Sequence, residues 1–322
     1  MQKGPVLVID GFNLLIRSFV VLPTMNANGD HNGGLYGSLN SIKSYVKKFQ
    51  PSKVIVAWDG PGGSKRRQKL YSNYKSGRKI PRRMCRAYDF LSPEEERQSM
   101  FEQLDRYKEY LSQLPIYQLR AEMTEADDLI AWCSHFYKDE NIIIISTDKD
   151  FYQLITDNVK IYNPVTKKIL DSKVIYDKFS IKPKNFVLAR TLTGDPSDSI
   201  DGVKGIGLKT SIKLFPMIND NSTLFPIDIL DYAKKQDSKI KKYQTVISEH
   251  EKVERNYKIM QLRDPLVSAS DVTKMISVLE KNVRANIPKM RQMFIMDSMW
   301  SQIKNFDDWV LQFIPLQTKE KE

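Results

Sequence analysis

The sequence has few of the residues that crosslink secreted domains or bind zinc. Its 322 residues include two cysteines and three histidines, too few for a disulfide framework or a zinc ligand set. We therefore expect both thiols, Cys85 and Cys133, to be reduced. Any metal bound by this chain must be held by oxygen ligands.

Long apolar runs are also missing. No stretch approaches the ~20 residues that a membrane-spanning helix needs, and the apolar run at residues 6–9 is too short for the core of a secretory signal. The sequence therefore predicts a cytoplasmic protein without a membrane partner.

Positive charge is in excess, with 50 Lys and Arg against 39 Asp and Glu, a net charge of +11. Such a balance favours a polyanionic partner. Residues 61–86 carry ten of the cations and no acid, and tyrosines among them could stack on bases. A solvated basic loop is the alternative. Because the segment follows an acid at a predicted strand end, we favour contact with nucleic acid. The candidate contacts are Lys65, Arg66, Arg67, Tyr74, Arg82 and Arg83.

Three short apolar runs rich in β-branched residues, at residues 6–9, 54–57 and 142–145, predict buried parallel strands. Each run leads into an acid. Carboxyl ends of parallel strands meet at one edge of an open α/β sheet. The sequence therefore predicts an α/β fold with a mainly parallel sheet flanked by helices, and a carboxylate-lined edge. The acids that follow the runs are Asp10, Asp59, Asp148 and Asp150.

Two helix starts can be read from their caps. Ser92, Pro93 and Glu95 form a capping box with proline at the first helical position. A second helix opens near Thr124 and carries three acids in its first turn. Acids there also complement the helix dipole without further function.

Nine acids on five segments are candidate metal ligands. Carboxylates brought close together either take up protons or bind cations. The expected cations are two Mg²⁺ ions, with Mn²⁺ as a substitute. Two ions ~3.5 to 4 Å apart can clamp a phosphodiester and activate water. The candidate ligands are Asp10, Asp59, Glu125, Asp127, Asp128, Asp148, Asp150, Asp195 and Asp198.

A glycine-rich turn at residues 202–207 precedes a predicted helix. Glycines allow close backbone approach, so the turn and the helix N-terminus can face a phosphate. This pattern is typical of a helix-hairpin-helix motif, although a plain connection between helices is the alternative. Its candidate nucleic-acid contacts are Gly202, Lys204, Gly205, Gly207 and Lys209.

These motifs, in this order, resemble the 5′ nucleases, a family that includes flap endonucleases, the exonuclease portion of bacterial DNA polymerase I and phage enzymes. The resemblance covers roughly residues 5–215. It implies a PIN-like catalytic domain at residues 1–180 with a helical arch at about 61–90. Residues 181–322 would hold the hairpin module and a helical C-terminal region. The matching segments are Asp10-Gly11, Trp58-Asp59-Gly60, Glu125-Ala126-Asp127-Asp128, Thr147-Asp148-Lys149-Asp150, Gly194-Asp195-Pro196-Ser197-Asp198 and the glycine turn.

The resemblance also implies individual roles. Lys75 and Arg78 would act on the scissile phosphate, and Tyr74 would stack on a base. Asp195 and Asp198 would complete the second metal region, the other seven acids would serve the first, and a monovalent cation would bind at the hairpin. The chain departs from its relatives at Ser199 and Asp201, where asparagine and proline are common.

The implied activity is 5′-3′ exonuclease and flap endonuclease cleavage of DNA in replication or repair, with RNA primers in RNA–DNA hybrids as a further substrate class. A catalytically silent junction-binding protein and a PIN-like ribonuclease are the alternatives. The complete acid set argues against the first, and the basic segment with the hairpin argues against the second.

The expected partners are 5′-flap, nicked or gapped DNA and a single-strand binding protein or sliding clamp. We expect a monomer, in the host cytoplasm if the chain is phage-encoded. Apolar residues at helical spacing in 294–313 would pack on the core or bind a replication partner, and core packing is favoured.

Overall fold

The computed structural model describes residues 4–77, 91–236 and 239–318. Its main sheet has the order β3-β2-β1-β4-β5-β6, with parallel pairing except between the last two strands. This confirms the mainly parallel sheet. The strands are β1 (Val6–Asp10), β2 (Lys53–Trp58), β3 (Tyr117–Arg120), β4 (Ile142–Ile145), β5 (Val159–Asn163) and β6 (Lys168–Leu170).

Helices cover both faces of this sheet. A short two-stranded ribbon, β7 (Gly194–Asp195) with β8 (Ile200–Asp201), lies in the second half of the chain. The helices are α1 (Gly11–Val21), α2 (Gly33–Phe49), α3 (Lys65–Leu70), α4 (Pro93–Ser112), α5 (Ala126–Phe136), α6 (Ser172–Phe179), α7 (Phe186–Thr193), α8 (Leu208–Leu214), α9 (Pro226–Lys234), α10 (Lys241–Ser248), α11 (His250–Met260), α12 (Ala269–Leu279), α13 (Ile287–Met296) and α14 (Phe306–Leu311).

Alternate residues of each central strand enter different hydrophobic clusters. In β1, Leu7 and Ile9 belong to the cluster formed with α1, α2 and α4, whereas Val6 and Val8 belong to the cluster formed with α5 and α7. Burial on both faces explains why the central strands are continuous apolar runs.

The C-terminal helices α13 and α14 pack on the main sheet. Phe294, Trp309 and Phe313 are buried in the same cluster as α1 and α2. The prediction of core packing is confirmed for these residues. Met296 and Trp300 are exceptions, with exposed fractions of 64% and 52%.

The opposite cluster joins the sheet to α7 through α12, so apolar contacts run continuously across residue 180. The division into two domains at this position stays a prediction.

Local sequence signals agree with the helix boundaries. The capping box at Ser92 forms as predicted, with Pro93 in the first turn of α4.

Cys133 is free and buried, as expected for a reduced thiol, whereas Cys85 lies outside the described residues. In the described ranges, no helix combines the length and apolar character needed to cross a bilayer.

Candidate active site

Three acids lie at the carboxyl ends of the neighbouring strands β2, β1 and β4. Asp10 ends β1 and caps α1, because its Oδ1 accepts the Asn13 N–H at 2.9 Å. Asp59 follows β2 and accepts the Ala126 N–H at 2.8 Å, which binds the start of α5 to this edge. Asp148 follows β4. The strand topology alone therefore brings acids from distant parts of the sequence to one edge.

The charges of these acids raise one another's pKa values. The pKa of Asp10 is raised to about 7, mainly by burial and to a smaller extent by the charges of Asp59 and Asp148, against the opposing Asn13 hydrogen bond. Burial also raises the pKa of Asp127 well above its usual range, followed by repulsion from Asp148 and Asp10. Without added cations, keeping these carboxylates ionised at one edge therefore costs considerable free energy.

A second group of acids is held by an arginine that the sequence analysis missed. Arg190 Nε donates to Asp150 Oδ1 at 3.1 Å, and Arg190 Nη2 donates to Asp195 Oδ2. Burial and repulsion from Asp148 raise the pKa of Asp150 to about 7 despite this pairing. At Asp195, burial is outweighed by Ser197 and Arg190, so its pKa lies below the usual value. The helical position of Arg190, just ahead of the acidic turn, was the available signal.

Glu125 is a buried acid whose two oxygens are both occupied. Its Oε1 accepts the Ser64 hydroxyl at 2.7 Å and the Lys75 ammonium. Its Oε2 accepts Arg67 Nη1 at 2.8 Å and the Tyr74 hydroxyl at 3.0 Å. Ser64 is another contact that the sequence analysis did not identify. These four donors fix α5 to the start of the basic segment.

Asp128 faces the interior beside Glu125. Arg67 holds it with two hydrogen bonds, Nη1 to Oδ2 at 2.6 Å and Nη2 to Oδ1 at 3.0 Å, and the Leu266 N–H also donates to Oδ1. Arg67 is only 3% exposed, and its Nε donates to the Ile259 carbonyl. Arg67 therefore ties α3 to the core, which corrects its predicted contact with nucleic acid. The geometry likewise gives Asp128 a structural position.

Tyr74 and Lys75 lie where the basic segment meets the acids. Tyr74 is only 4% exposed and packs against Val187 and Ile200. Its ring is not available to stack on a base in this conformation, which corrects that prediction. Lys75 has a left-handed backbone, with φ of 60°, and its N–H donates to the Asp198 carbonyl at 2.8 Å. The chain therefore holds Lys75 in a strained conformation directed at the acid cluster.

The turn that carries Asp198 also contacts the basic segment at the next residues. Ser199 adopts φ of 59°, and its hydroxyl accepts the Gly77 N–H at 3.0 Å. Asp201 contributes its carbonyl oxygen to the side chain of the buried Asn256 at 2.8 Å. The two residues that depart from the family pattern thus form specific contacts.

The glycine turn divides into structural and exposed positions. A Cβ on Gly202 would lie 2.3 Å from the Thr193 backbone, so packing within the chain accounts for this glycine. Gly205 has φ of +75°, and Gly207 has an ordinary φ of −94° at the start of α8. Open space surrounds both positions. Lys204 and Lys209 are exposed beside them.

The remaining predicted contacts with nucleic acid differ in their surroundings. Lys65 is exposed on α3, whereas Arg66 Nη1 donates to the Leu266 carbonyl. The other three predicted cations of the basic segment, Arg78, Arg82 and Arg83, lie outside the described residues.

The carboxylate oxygens of this site are the type of ligand that hard divalent ions prefer, but they are not arranged around a single ion position. Within the described ranges, no three side chains of Asp, Glu, His or Cys lie close enough to hold one ion. Four of the nine acids, Glu125, Asp128, Asp150 and Asp195, pair instead with Lys75, Arg67 or Arg190. Mg²⁺ retains several waters and needs only one or two direct carboxylates. The oxygen-only, mutually repelling set therefore fits this type of ion.

Comparison with known proteins gives an independent assignment. Residues 5–180 match the family model of the 5′-3′ exonuclease N-terminal resolvase-like domain. The 5′-3′ exonuclease of Buchnera aphidicola (subsp. Schizaphis graminum) is 30% identical over 231 residues, covering 70% of this chain and 74% of the relative. The flap endonuclease Xni of Shewanella denitrificans is 33% identical over 260 residues, covering 80% and 92%.

Solved structures show the same fold. The T5 D15 protein, crystallised with metal ions, has a TM-score of 0.69 at 22% identity, covering 86% of this chain and 98% of that protein. The T5 D15 flap endonuclease has also been solved in a complex with DNA and metal ions. With the acidic strand edge and the matches in sequence, these findings establish that the chain belongs to the 5′-3′ exonuclease family and is a nuclease.

Proposed function

We propose that this nuclease cuts 5′-ended and branched DNA with two divalent metal ions, Mg²⁺ foremost, at the acidic edge of its sheet. The observation that carries the proposal is the convergence of carboxylates at this edge, in which the partly buried Asp10 and Asp150 have pKa values raised to about 7. A protein retains such a costly arrangement when its function requires the charge.

The residues that would hold the ions follow from their positions at the strand ends, at the start of α5 and in the turn after α7. Asp10, Asp127 and Asp148 would form the first region, with Asp59 near its rim. Asp150 and Asp195 would connect it to a second region completed by Asp198. When bound, two ions would lower the pKa of an attacking water and stabilise the leaving oxygen.

Glu125 and Lys75 would have linked roles. In the present arrangement the Lys75 ammonium neutralises Glu125. A scissile phosphate at this edge would offer the ammonium a second anion. We infer that Lys75 exchanges Glu125 for the phosphate, where a positive charge stabilises the charge that develops in the transition state. Glu125 Oε1 would then be free to accept another cation.

DNA binding outside the acidic edge would rely on backbone contacts. Gly207 carries the argument, because its φ is ordinary and a Cβ would meet no atom of the chain. A close phosphate explains a glycine here, since the chain itself does not require one. A monovalent cation at this hairpin, a single-strand binding protein or clamp as partner, a monomeric state and a cytoplasmic location stay predictions.

The decisive experiment is cleavage of four matched 5′-labelled substrates: a flap, a nicked duplex, a gapped duplex and an RNA–DNA hybrid. Each is incubated with Mg²⁺, Mn²⁺, Ca²⁺ or EDTA. We expect cleavage with Mg²⁺ and Mn²⁺, and none with EDTA. Product lengths distinguish stepwise exonuclease action from release of an intact flap.

Single-stranded RNA is the control for the PIN-like ribonuclease alternative. Faster cleavage of this RNA than of every DNA substrate would reject the DNA specificity proposed here. Full activity in EDTA would reject the metal-dependent mechanism.

A further inference from the structure

A groove lies at the edge of the fold opposite to the acids. It consists of two adjoining cavities of about 330 and 700 Å³, which share Lys47 and Gln312 in their walls. Lys47 belongs to the last turn of α2, and Pro51 in the wall precedes β2. The groove therefore lies at the amino ends of the strands, remote from the carboxylate edge. We name it the α2–α14 groove.

One compartment of this groove is basic. Lys43, Lys47 and Lys304 line it, against Asp308 as the acid in its wall. The Asp308 carboxylate accepts a hydrogen bond from the Asn305 side chain. Burial and the charge of Lys47 lower the pKa of Lys43, so the two ammonium groups repel each other. An anion between them would relieve this repulsion.

The other compartment is mainly apolar. Val46 and Leu316 are buried in its wall, and Leu311 is 53% exposed beside them. Pro51 and Pro315 form part of the same wall. Proline has no N–H to donate, so these positions offer no backbone donor to a phosphate.

We propose that the α2–α14 groove binds an acidic peptide segment of a partner protein. Its carboxylates would contact the three lysines, and an adjacent apolar side chain would enter the compartment beside Leu311. Charge complementarity favours an acidic ligand. The apolar compartment favours a peptide over nucleic acid, because a sugar-phosphate backbone would leave that compartment unfilled.

The test is fluorescence anisotropy with the full chain and a labelled hexapeptide of four aspartates followed by isoleucine and phenylalanine. We expect saturable binding that Lys47→Glu weakens by about tenfold or more, because a charge is reversed where the compartments meet. Leu311→Ser should weaken binding by about threefold or more, since it removes apolar contact. A peptide with serines in place of the aspartates should lose most of its affinity.

Lys48→Glu is the matched control, because it reverses the same charge one residue along α2 outside both cavities. It should change the affinity by less than about threefold if the contact is local. The rate of 5′-flap cleavage should stay at the wild-type value in all three variants, which shows that they fold.

Three results would overturn the proposal. The first is the absence of saturable peptide binding, and the second is equal weakening by Lys47→Glu and Lys48→Glu. The third is displacement of the peptide by duplex DNA together with an equal loss of DNA affinity in Lys47→Glu, which would assign the groove to nucleic acid.

Discussion

Replacing Asp10 by asparagine should stabilise the metal-free protein while abolishing cleavage. Asp10 caps α1 through one hydrogen bond from Asn13, and asparagine is an equally good cap. The substitution therefore keeps the local structure and removes one negative charge from a group of mutually repelling acids.

The size of the effect follows from the pKa of Asp10, which burial raises from 3.8 to about 7. Because the folded protein favours the neutral acid, the contribution of Asp10 to stability is most favourable below pH ~4 and is lost as the pH rises to ~7. At ~1.36 kcal/mol per pH unit, the penalty reaches at most ~4 kcal/mol above pH 7 and ~2 kcal/mol at pH 5. Loss of the attraction to Lys75 reduces the gain, so we expect ~1 to 2 kcal/mol, or roughly 2 to 6 °C in Tm, at pH 8.

Thermal unfolding in EDTA at pH 5 and pH 8 measures this difference. Asp10→Asn should raise Tm more at pH 8 than at pH 5, and Mg²⁺ should stabilise the wild type more than the variant. Asp10→Ala is the control, since it removes both charge and cap. A lower Tm for Asp10→Asn than for the wild type in EDTA at pH 8 would refute the reasoning.

Three further predictions concern catalysis and DNA contact. Asp150→Asn should reduce the cleavage rate by a factor of about 10² or more while DNA affinity stays near wild type. The reason is that metal ligation contributes more to the chemical step than to DNA positioning. Equal turnover of variant and wild type with Mg²⁺ would count against Asp150 as a ligand. Lys75→Ala should lower the single-turnover rate on a 5′ flap. Lys65→Ala should mainly weaken binding and reduce the slope of log affinity against log salt concentration by ~0.7 to 0.9. Similar effects of the two changes would leave Lys75 without a catalytic role. Gly207→Val should weaken binding to plain duplex and flap alike at fixed salt, and unchanged affinity would reduce the turn to a connection between helices.

The sheet and its acidic edge were predictable because their signals are local. Four-residue apolar runs followed by acids specify buried parallel strands, and the topology of such sheets brings the strand ends together. The capping box at Ser92 likewise needs only four neighbouring residues. Sequence order was sufficient for these features.

Partner choice within the site could not be predicted in the same way. Arg67 lies in a run of cations whose composition indicates a solvated or DNA-bound segment, yet its guanidinium is buried against Asp128. The two partners are 61 positions apart in the sequence, so local periodicity gives no indication of their contact. The partners of Arg190 were predictable only in part. Helical spacing places it near Asp195 but does not indicate its hydrogen bond to Asp150.

The buried basic residues explain why the acidic edge is tolerated before any substrate arrives. Arg67 neutralises the acids nearest the core and is fixed by the Ile259 carbonyl, so it cannot leave without exposing buried charge. Lys75 differs, because its side chain is 16% exposed against 4% for Arg67 and its ammonium pairs with Glu125. A long, flexible ammonium can change partners at lower cost than a planar guanidinium held by several bonds. Around Glu125, the site therefore combines one fixed counterion, Arg67, with a second, Lys75, that we propose moves to a phosphate.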